Sequence, residues 1–184
     1  MSLSDLLSDS LTPDTLAAIA SRMGIDDVQT KKALRVALPA LLQGLKKKSE
    51  NPKEADSLHT ALDEHGGDAD DTVEMITHGR AKKGDKIISH ILGDSTWDVV
   101  SAMIEKAWLD STKAVALLEW LGPVVMNALG KVKQKQWLSA SDLSAMLSGE
   151  IGIMRMVGGF FDQDGDRDFD IQDGLRVAMN ILRK

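Results

Sequence analysis

The chain contains no cysteine and no tyrosine, only four prolines, and just seven Phe and Trp residues. Without thiols there is no disulfide framework, thiolate zinc site, iron–sulfur cluster or cysteine nucleophile. No uninterrupted apolar run approaches the roughly 20 residues of a membrane span, so no membrane role is expected. Excess positive charge is missing too. Lys and Arg number 22 against 28 Asp and Glu, and the net charge of −6 disfavours bulk nucleic-acid affinity. The first residues, MSLSDLLSDSLTPD, carry acids and no basic start, so no signal peptide and a cytoplasmic location are expected. What the sequence does have is 43% hydrophobic and 27% charged residues over 184 positions, ordinary proportions for a globular protein able to hold a core unaided.

Helical periodicity dominates and strand-like alternation is nearly absent, so the expected class is all-α. A short helix is predicted near Leu3–Leu7. Thr12 then reads as an N-cap with Pro13 in the first helical position, and Gly24 as the stop. Asp26 or Asp27 opens a long helix with Pro39 inside it, where a proline removes a backbone donor and favours a kink. Asn51-Pro52 starts a further helix ended by Gly66-Gly67, and Asp71 with Glu74 has capping-box spacing for a short one ending at Gly79. KIISHIL lies between Gly84 and Gly93. Helices follow from Ser95 through Trp108, from Ser111 to about Gly130, over SASDLSAML, and over GIMRMVGGFF.

The second half repeats the first. At an offset of 84, Thr12, Asp14, Ala18, Asp26, Leu34, Pro39, Leu45 and Lys47 meet Thr96, Asp98, Ala102, Asp110, Leu118, Pro123, Leu129 and Lys131. After a slip of one residue, Leu58 and Leu62 meet Leu143 and Leu147. Helix-interior proline costs about 3 kcal/mol, so two at matched places argue for duplication over chance likeness. The expected organisation is a single domain over 1–184, with helical subdomains at 1–80 and 81–155 whose Pro-kinked helices cross in a shared core. A loop and final helix occupy 156–184.

That last segment carries the strongest chemical signal. From Asp162 to Asp173, acids fall at loop positions 1, 3, 5, 7, 9 and 12, the ligand ladder of an EF-hand-like calcium loop. Calcium takes about six to eight oxygens, and a tightly wound loop turns alternate side chains onto one centre. Asp162, Asp164 and Asp166 would ligate through carboxylates, Asp168 through its carbonyl and Asp170 through a water. Asp173 would close the shell from the exit helix. Arg167 stands where glycine is usual, and Asp173 where a longer Glu is usual. In that second respect the loop and exit helix resemble the calcium loops of dockerin modules. Magnesium is the second candidate ion, though an all-protein oxygen cage suits calcium better. The plain alternative is a solvated acidic turn. This loop holds six Asp and one Arg, so most of the net charge of −6 is local to it.

Weaker signals have bland readings beside them. The corner over 16–38 resembles a helix-turn-helix, with Lys31, Lys32 and Arg35 placed to meet phosphate, but tight helical corners are common packing units. Lys46, Lys47 and Lys48, and Lys131, Lys133 and Lys135, read as cations offsetting helix C-terminal dipoles. His59, His65, His78 and His90 lack HExxH-type spacing, and no G-x-S-x-G elbow is present, so no catalytic residues are assigned. Trp97, Trp108, Trp120 and Trp137 read as core, with a helix-binding groove as the sharper alternative.

Four stretches together resemble the YidB-like family of bacterial domains of unknown function: ALPALLQGL (37–45), ALDEHGGDADD (61–71), GDKIISHILGD (84–94) and LGPVVMNALGK (121–131). The terminal DQDGDRDFDIQDGL (162–175) matches the acidic tail that many members carry. The resemblance implies a multihelical fold of two subdomains and no particular activity. The combined expectation is a non-enzymatic, calcium-binding helical protein acting through a protein partner or self-association. A nucleic-acid-binding regulator using the 16–38 corner is the alternative.

Overall fold

A computed structural model describes residues 11–65 and 84–148, and among them every regular element is helical. The helices are α1 (Pro13–Met23), α2 (Asp27–Ser49), α3 (Pro52–His65), α4 (Gly84–Leu92), α5 (Thr96–Ala107), α6 (Ser111–Gln136) and α7 (Ala140–Ser148), with a 3-10 turn at Gly93–Ser95. The segments expected at Leu3–Leu7, Asp71–Gly79 and GIMRMVGGFF lie outside the described residues, as do the boundaries placed at 80 and 155.

Local chemistry sets the helix starts. The Thr12 hydroxyl accepts the Thr15 N–H at 3.2 Å, and Pro13 has no N–H to leave unpaired. Asp26 accepts the Gln29 N–H at 2.7 Å while the Gln29 side chain accepts the Asp26 N–H at 3.3 Å, a complete capping box. Asp110 caps α6 by accepting the Lys113 N–H at 2.9 Å. Ser95 gives α5 no side-chain cap; the Thr96 N–H instead closes the preceding 3-10 turn on the Gly93 carbonyl, which also accepts the Thr96 hydroxyl at 2.7 Å.

Neither Pro39 nor Pro123 ends its helix; both are buried within α2 and α6. The sequence expectation misplaced the stop of α6, which runs through Gly130 to Gln136. Gly130 lies in an unbroken buried run from Trp120, and packing on all sides outweighs its weak helix preference of about 1 kcal/mol. Helix α6 is also long and apolar enough to cross a membrane, but 78% of its most apolar window is buried within this fold.

One continuous core joins both halves, with Leu34, Leu38, Leu41, Leu42 and Leu45 of α2 meeting Leu117, Leu118, Leu121 and Leu129 of α6 among its members. The halves interleave rather than sit side by side. Helix α3 packs on α6, and α7 packs on α2. Helix α4 lies against both long helices, close enough that a side chain on Gly44 would collide with Ile91.

Candidate functional site

Three of the helix-ending corners share a plan: a residue in the left-handed region is followed by an apolar residue turned inward. Gly24 (φ 59) precedes buried Ile25, Trp108 (φ 58) precedes buried Leu109, and Trp137 (φ 53) precedes half-buried Leu138. At each corner the chain reverses while an N–H reaches back to a helix carbonyl: Ile25 to Ala20 at 3.0 Å, Trp108 to Ile104 at 3.0 Å, Leu138 to Lys133 at 3.1 Å. The first two corners abut. The Gln29 side-chain amide donates to the Trp108 carbonyl at 3.1 Å, and the Lys113 ammonium donates to the Gly24 carbonyl at 2.7 Å.

This arrangement turns Trp108 and Trp137 outward. Trp97, Trp108 and Trp137 are 67%, 80% and 91% exposed, whereas Trp120 alone of the four is buried. The reading of all four as core is therefore corrected. A ring that faces solvent gains little by burial, so these three contribute little to the fold by packing. One sequence signal points to it: Trp108 stands where the offset register has Gly24, a position of positive φ.

The third corner borders a groove of about 510 Å³ lined by His59, Asp63, Lys133, Gln134, Trp137 and Leu138. Lys133 is only 6% exposed. Its ammonium donates to the His59 carbonyl at 2.7 Å and pairs with Asp63 at 2.5 Å. The Lys133 hydrogen bond holds the Asp63 carboxyl below the ordinary Asp range, against a smaller opposing desolvation and with help from the charges of Lys133 and His59. His59 Nε2 lies 3.1 Å from the Leu138 carbonyl. So Lys133 does more than offset a helix dipole: it ties α3 to the end of α6. The other half has Ser49, Ser144 and Ser148 at the matched positions, so it cannot repeat this charge pairing. No Ser, Thr or Cys lines the groove, and its cation and imidazole already engage protein groups. Chemically it is a polar tether beside an exposed indole.

Asp162, Asp164, Asp166, Asp168, Asp170 and Asp173 all lie outside the described residues, as does His78. His90 is exposed on α4. Among the described residues, no group of three or more His, Asp and Glu is placed to hold a metal ion. The helix-turn-helix-like corner is a packing corner: past Lys32, α2 buries every residue as far as Leu45 except Arg35 and Gln43, leaving little face for a groove of DNA.

A family model described as bacterial protein of unknown function (DUF937) matches residues 5–132, and the YidB-like resemblance fits that family. No curated protein and no solved structure matches the chain.

Proposed function

The chain belongs to that bacterial family, and on this premise we propose that it is a non-enzymatic helical interaction protein of the cytoplasm that carries a calcium-binding loop at residues 162–173. The observation that carries the interaction reading is the outward placement of Trp97 and Trp108 at the two ends of α5. Tryptophan is enriched at protein contacts because it brings a large apolar area with few rotamers to freeze. Two on one short helix, neither used by the core, are the signature of a contact surface.

Internal duplication supplies the frame for this surface. The reciprocal corner contacts support it: Gln29 reaches the Trp108 carbonyl and Lys113 the Gly24 carbonyl, and these pairs exchange at the offset of 84. The exchanged packing of α3 on α6 and α7 on α2 is consistent with a pseudo-two-fold relation. On this reading, subdomains 1–80 and 81–155 form one interleaved unit, with 156–184 as the appended calcium loop and helix. The groove at Lys133 and the tryptophans of α5 are then where the second copy diverged from the first.

The calcium reading rests on the acidic ladder in the sequence, with magnesium as the competing ion. Calorimetric titration of the full chain tests it. Saturable calcium heat that disappears in the Asp162→Ala/Asp173→Ala double variant is expected; equal heat from the variant would contradict it. For the interaction reading, a photo-crosslinking residue in place of Ser101, midway along exposed α5, reports contacts in living bacteria. Discrete adducts that vanish in Trp97→Ser/Trp108→Ser are expected, and absence of adducts would remove the reading.

A further inference from the structure

We draw no further inference here: the strongest candidate, the groove where α3 meets the end of α6 beside Trp137, carries none, because Lys133 already pairs with its carboxylate, that of Asp63, and nothing in the structure shows what covers the exposed indole.

Discussion

Trp108 and Trp137 hold a backbone conformation that favours glycine, at φ 58 and φ 53. The left-handed region costs an L residue about 1–2 kcal/mol, and glycine avoids that cost while losing more entropy on folding. Because Trp108 is 80% exposed, its removal forfeits little packing. Trp108→Gly should therefore stabilise the fold by about 0.5–1 kcal/mol, read as a raised urea midpoint. Asp63 makes the opposite kind of prediction. Its carboxyl sits below the ordinary value of 3.8, chiefly through the Lys133 hydrogen bond. A depressed carboxylate contributes stability that is present above its unfolded value and is lost as pH falls through the lower, folded one. Asp63→Asn should flatten that part of the dependence of melting temperature on pH, from about 3.8 downward, while leaving the slope from Asp142 in place. At this scale the sequence was half legible. Aligning Trp108 with Gly24 marks a left-handed position, but nothing in the spacing of Lys133 announces that it will pair with Asp63, 70 residues earlier.

Helix starts were legible because caps are local: Thr12, Asp26 and Asp110 each accept an N–H within their own next turn. Ends were less so. Gly24 ends α1, whereas Gly130 ends nothing, because tertiary packing along α6 decides which glycine the helix can absorb. Gly84 shows the same packing at closest range. It opens α4 against α6, where an added Cβ would lie 2.1 Å from the Glu119 carbonyl oxygen. That contact is with backbone, which cannot swing away as a side chain can. Burial, with Asp85 nearby, also pushes the Glu119 carboxyl above its ordinary range, a sign of how closely α4 covers this stretch. Gly84→Ala should destabilise by about 1–3 kcal/mol, the cost of overpacking, and thermal melting would show it as a lowered midpoint.

For the whole molecule, the periodic apolar faces and the repeated Thr, Asp and Pro positions made an all-helical fold readable from sequence. Which face meets which partner was not, because periodicity orients a helix without naming its neighbour; the exchange of α3 and α7 between the long helices emerges only in three dimensions. Exposure of the tryptophans was hidden for the same reason, since an indole in an apolar-rich segment reads as core until its corner is built. The acidic ladder at 162–173 lies outside the described residues, and its calcium reading rests on spacing alone. The central claim is that α5 presents its indoles for contact. Hydroxyl-radical footprinting of the full chain tests this most directly, with buried Trp120 as internal reference. The account predicts oxidation of Trp97, Trp108 and Trp137 much faster than that of Trp120. Oxidation at Trp97 and Trp108 as slow as at Trp120 would contradict it.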